Sequence, residues 1–168
     1  MGKQVSGEAQ VRFVSLEPVN GQFLARMPVD SLFAKDSDAE SLAKEIALIY
    51  GQRISSMQCV VRDICALRAA RLPVPAQSAW VLGDAIFALR RQLMDLSFEI
   101  DDIYAHLVRE LGVKRKWLEK VVILRRYVQR IEYIPGNLTW GKLEHGTKRM
   151  ALSLVKQAES TEQDRQLA

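Results

Sequence analysis

The sequence predicts a mainly α fold: an antiparallel bundle of long helices, with a C-terminal helix-turn-helix and a small N-terminal β-hairpin or extended arm. Three observations predict it. Apolar residues recur at spacings of three and four through most of residues 37–158. Pro73 and Pro75 divide that pattern into two long segments, since proline cannot donate to a helical ladder. Ahead of it, short runs rich in β-branched and aromatic residues flank a turn signal.

Residues 1–36 read as the arm or hairpin. Val11, Phe13, Val14 and Leu16 precede Pro18-Val19-Asn20-Gly21, and Phe23 and Leu24 follow it. Asn and Gly both tolerate the positive φ of a tight hairpin turn. Residues 37–111 read as a long antiparallel helical hairpin. Ser37 and Glu40 have capping-box spacing. Leu42, Ile46 and Ile49, then Met57, Val60, Ile64 and Leu67, continue a first helix to about Ala70, with Gly51 a weak point. After the prolines, Leu82, Ile86, Leu89, Leu93, Leu96, Ile100, Ile103 and Leu107 form a heptad stripe, and neither glycine nor proline interrupts residues 85–111. The stripe is equally the seam of a protruding coiled coil or one wide core face of a bundle. Residues 104–158 hold the helix-turn-helix and a closing helix capped by Asn137 or Thr139. That helix turns Trp140, Leu143, Met150 and Leu154 inward and Lys142, Lys148 and Arg149 outward. Residues 159–168 are polar and expected to be a disordered tail. The whole is expected to be one cooperative domain, because 168 residues are few for two stable ones.

Composition narrows the function classes. At 48% hydrophobic and 26% charged, the chain has the make-up of a folded globular protein. Cys59 and Cys65, six residues apart on a helix, lie on different faces and are expected to be buried thiols rather than a disulfide or ligand pair. His106 and His145 are distant in sequence, so no metal-ligand spacing arises and neither metal nor cofactor is expected. No apolar run approaches the roughly 20 residues of a membrane span, and no signal peptide is evident, which predicts a cytoplasmic protein without membrane association. Met1-Gly2-Lys3-Gln4-Val5-Ser6 fits the loose N-myristoylation pattern. No Gly-rich phosphate loop, Ser/Cys-His set or paired-carboxylate spacing stands out; Asp101 and Asp102 are adjacent and do not share a helix face, so catalysis is not expected.

Gly112 carries the helix-turn-helix expectation. Glycine at the turn enters a left-handed conformation, and Leu107, Leu111, Val113, Leu118 and Val121 then occupy the inward positions. Val108 departs from the motif, which prefers a small residue there, and Gly112 is also compatible with an ordinary helix C-cap. Charge favours the motif. Between Arg109 and Ile131 eight basic residues meet two acidic ones, whereas the whole chain carries only +4. Lys114, Arg115, Lys116 and Lys120 fall at the start of the second helix, the end that enters a major groove in this motif. Arg125, Arg126 and Arg130 continue a basic face suited to phosphate contacts. Trp117 reads as a core anchor or a stacking group.

Trp80-Val81-Leu82-Gly83-Asp84, the helix after it, Leu111-Gly112-Val113, the basic helix and Leu138-Thr139-Trp140 together resemble a helical domain of phage, plasmid and other mobile-element proteins. In one such group it precedes a restriction-like nuclease domain. The resemblance spans residues 78–150 and implies DNA handling. The nuclease signature, an acidic pair followed by Glu-X-Lys, is absent from this sequence, so cleavage is not implied.

The sequence therefore predicts a non-catalytic accessory or regulatory protein binding duplex DNA, dimerised through the heptad stripe to span two half-sites. The alternative is a helical scaffold, a subunit of a nucleoprotein complex whose basic helix contacts RNA or an acidic partner.

Overall fold

A computed structural model of the chain describes residues 11–27 and 36–168, and the side chains of Asp36 and Ser37 are outside the description. The acylation pattern at Met1–Ser6 and the Ser37 half of the capping box therefore lie outside the described residues. The described chain is mainly helical with a small three-stranded sheet. In order it contains β1 (Arg12–Val19), β2 (Gln22–Arg26), α1 (Asp36–Ala69), α2 (Ala76–Asp95), β3 (Phe98–Ile100), α3 (Ile103–Leu111), α4 (Arg115–Tyr127), α5 (Trp140–Leu143) and α6 (Thr147–Leu167). It divides into two compact units: residues up to Gln52 with Ala88–Ile103, and Arg53–Phe87 with Tyr104–Ala168. α1 and α2 each contribute to both units.

In the first unit β1 and β2 form the expected hairpin. Asn20 and Gly21 both have positive φ, 50° and 77°, the backbone twist that suits a two-residue hairpin turn. The antiparallel register runs from Val19↔Gln22 to Ser15↔Arg26. Val14, Leu16 and Ala25 are buried on one face while Phe13 and Leu24 are exposed on the other, as the period of two requires. Gly51 does not break α1; the Phe23 ring packs over it, and a Cβ there would sit 3.4 Å from Phe23 Cδ2. Phe23 also meets Tyr50 edge to face at 4.8 Å.

The uninterrupted helix expected through Leu111 does not form. α2 ends at Asp95, Ser97 turns left-handed with φ 64°, and Phe98–Ile100 becomes β3. β3 adds parallel to β1, giving the sheet order β2-β1-β3. A two-stranded hairpin is marginal alone, and a third strand that buries Phe98 and Ile100 supplies about 1.5–3 kcal/mol for each side chain. Leu96, Ile100, Ile103 and Leu107 keep a heptad spacing by coincidence, across a helix end, a strand and a new helix. The strand signal was Phe98-Glu99-Ile100, apolar on alternate positions. The part of the stripe within α2, Leu82, Ile86, Leu89 and Leu93, is at most 1% exposed. It is filled by the chain's own side chains and offers no coiled-coil seam to a partner.

In the second unit α1 ends in a Schellman arrangement at Arg71, φ 56°, where Leu72 N donates to Leu67 O and Arg71 N to Arg68 O. The core-facing stripe of this half of α1 is Ile54, Met57, Val61 and Ile64. Neither cysteine is on it: Cys59 and Cys65 are exposed, correcting the expectation of buried thiols. The start of α2 is tied to the chain ahead of α5, with Ala76 N donating to Leu138 O and Trp140 N to Val74 O. The single closing helix is two, since α5 stops after four residues and α6 starts beyond Gly146. Residues 159–167, expected to be disordered, continue α6 as exposed helical turns.

Candidate nucleic-acid interface

α3 and α4 are joined by Gly112, Val113 and Lys114. Gly112 has φ 65° and its N–H donates to Val108 O at 3.0 Å, a left-handed stop to α3. A Cβ on Gly112 would meet nothing within 4 Å, so glycine is needed there for its dihedral and not for space. Of the five positions expected to face inward, Leu107, Leu111, Leu118 and Val121 are buried and Val113 is half-buried. Val108 is half-buried.

α4 is amphipathic with its charges outward. Trp117, Leu118, Val121, Val122 and Leu124 are buried, and Trp117 meets Trp140 edge to face at 6.4 Å. Trp117 is a core anchor rather than a free stacking platform. Arg115, Lys116, Glu119, Lys120, Ile123, Arg126 and Tyr127 fall within about 140° on the other side, taking 100° per residue. Lys114, Arg115, Lys116 and Arg126 are exposed, and Lys120 is half-buried. Arg115 is held over the Tyr104 ring at 5.3 Å and donates to Glu119 at 3.3 Å.

This charge placement opposes helix stability. Lys114 caps α4 without a side-chain hydrogen bond, and no acid lies in the first turn to offset Arg115 and Lys116. Cations at the positive end of a helix dipole cost roughly 0.3–1 kcal/mol each when exposed. A bound anion would reverse that sign, because the first N–H groups of α4 lack a side-chain cap and Lys114 and Lys116 are exposed beside them.

Besides Arg115, two more of the seven candidate cations, Arg125 and Arg130, have partners within this unit. Arg125 is an inward structural cation, its side chain 13% exposed, with Nε 2.9 Å from Asp84 Oδ1. Its guanidinium lies 5.1 Å from both the Trp80 and Phe87 rings. At 13% exposure it is largely enclosed and is not presented to a phosphate on the outer surface. Arg130 lies beyond the end of α4, so it does not continue the helix face. It bridges Glu132 at 3.6 Å and Glu162 at 3.7 Å, and a hydrogen bond with Tyr133, then the nearby acids, hold its pKa above the ordinary arginine value. It remains charged but is engaged within the unit.

The Trp80–Asp84 segment positions α4. A Cβ on Gly83 would fall 2.7 Å from Arg125 Cβ and 2.9 Å from Val121 O, so only glycine lets the backbones of α2 and α4 approach this closely. Trp80 Nε1 donates to Val128 O at 2.7 Å, fixing the C-terminal end of the same helix.

Beside the outward face of α4, the start of α6 forms an open groove of about 810 Å³. Lys120 and Ile123 line one side and Gly146, Lys148, Arg149 and Leu152 the other. Lys148 Nζ lies 5.4 Å from the Tyr127 ring centre. The outward lysine and arginine of α6 were legible as helix-face residues; their position next to Lys120 was not, because it depends on the break at Gly146. Among the described residues, no cluster of His, Cys, Asp and Glu could hold a metal ion, and no helix is long and apolar enough to cross a membrane. No family model, curated protein or solved structure matches this chain.

Proposed function

We propose that this protein binds double-stranded DNA through a helix-turn-helix formed by α3 and α4, without acting on it catalytically. The observation that carries the reading is the outward row Arg115, Lys116, Lys120 and Arg126, with exposed Lys114 at the cap before it, on a helix whose opposite face is anchored by Trp117, Leu118 and Val121. α4 has 13 residues, about 20 Å, enough to lie across a major groove with its first turn toward the bases. The left-handed Gly112 supplies the turn chemistry this motif uses. Charge segregation supports the same reading: the second unit has seventeen basic residues against nine acidic, the first seven against eleven. The resemblance of residues 78–150 to mobile-element domains points to the same ligand and to an accessory or regulatory role.

Fluorescence anisotropy with a random-sequence duplex tests it. Binding at low salt is expected to weaken as salt rises, with a log–log slope of about −4.5 if five phosphates are neutralised. Absence of duplex binding at low salt removes the proposal. Equal affinity for an acidic polypeptide of matched charge also removes it, since the face would then be a general polyanion surface.

A further inference from the structure

We infer that α6 is a homodimerisation helix that pairs antiparallel with α6 of a second copy. Lys148, Leu152, Val155 and Glu159 succeed one another at spacings of four, three and four, so they form one stripe along the helix. Its order is cation, apolar, apolar, anion. The stripe is not the face α6 uses internally, where Thr147, Ala151 and Leu154 are buried. Leu152 remains 48% exposed and Val155 half-buried, while Lys148 and Glu159 are exposed.

Charge order selects the occupant. A duplex or a wholly acidic partner would suit Lys148 and be repelled by Glu159. Parallel pairing with a second copy would set like charges opposite each other. Antiparallel pairing sets Lys148 opposite Glu159 of the second copy and Leu152 opposite its Val155, and two-fold symmetry repeats both pairs. Glu162, the next position on the stripe, is already ion-paired with Arg130 at 3.7 Å, and its side chain is 50% exposed. This pairing replaces the heptad seam of α2, which the chain itself fills, as the dimer interface. It does not depend on duplex binding.

Sedimentation velocity of the full chain over a wide concentration range reads the association. Wild type is expected to form a dimer that dissociates as salt rises. Lys148→Glu and Glu159→Lys are each expected to weaken dimerisation roughly tenfold or more, because each puts two repulsive pairs in place of two attractive ones. The double variant is expected to recover association to within about threefold of wild type, since restored pairing is the only change that cancels both. Leu152→Glu is expected to be monomeric. All of these side chains are exposed, so unchanged circular dichroism and melting check that each variant folds. A wild-type monomer at every concentration overturns the inference. So does a dimer indifferent to the single reversals, or one that the double variant fails to restore.

Discussion

At the scale of single residues, the sharpest distinction is between arginines of identical type and different work. Arg125 and Arg126 are neighbours in the basic run, and sequence gives no reason to separate them. Geometry does, because 100° of helix rotation puts Arg125 between Trp80 and Phe87 and leaves Arg126 in solvent. Two cation–π contacts at about 0.5–1 kcal/mol each, plus an ion pair discounted because Asp84 is half-exposed, set the cost of Arg125→Ala at about 2 kcal/mol. Arg126→Ala is expected to leave stability within about 0.5 kcal/mol of wild type, while weakening duplex binding. Chemical denaturation of the two variants checks the contrast. The glycines divide similarly. Gly83→Ala is expected to cost about 1–3 kcal/mol by overpacking against Val121 and Arg125. Gly112→Ala is expected to cost about 1 kcal/mol through its φ of 65° alone, with Asn milder than Ala. Gly112 was legible, because a turn between two apolar patterns needs a left-handed residue. The role of Gly83 was not, since it depends on which helix crosses α2 at that point.

At the scale of elements, local signals succeeded where chemistry forced them. Asn20-Gly21 marked the hairpin, and Pro73 and Pro75 marked the end of the first long helix, because dihedral restrictions act whatever the tertiary context. β3 was hidden because three residues carry too little periodicity to compete with a heptad, and pairing with β1 decided their conformation. The outward charge of α4 was legible in the number of cations. Its separation from Arg125 and Arg130 was not. The helix dipole gives α4 a diagnostic pair of opposite signs. Replacing Lys114 and Lys116 with alanine removes cations from the positive end and raises helix propensity while leaving Arg115 on Tyr104 and Glu119, so the variant is expected to melt at or above the wild-type temperature. The same variant is expected to bind duplex more weakly, with its salt slope shallower by about 0.9 for each phosphate that is no longer neutralised. Weaker binding accompanied by a lower melting temperature would instead assign these residues to the fold.

At the scale of the whole molecule, the heptad stripe permits two accounts with different consequences for assembly. As a coiled-coil seam, its leucines hold subunits together, and polar replacements yield a folded monomer. As core, they hold the chain itself. Leu89 is 0% and Leu93 1% exposed, and a leucine truncated at such a site costs about 2–5 kcal/mol before any charge is buried. Domains of this size are stable by about 5–15 kcal/mol, so introducing two carboxylates there exceeds most or all of the margin. The chain with Leu89→Glu and Leu93→Glu is therefore expected to lose its cooperative melt and much of its helical circular dichroism at every protein concentration. Leu152→Glu, on the exposed stripe of α6, is expected to keep both while changing only the sedimentation coefficient. A folded, monomeric Leu89→Glu, Leu93→Glu variant would return the dimer interface to α2 and remove α6 from that role.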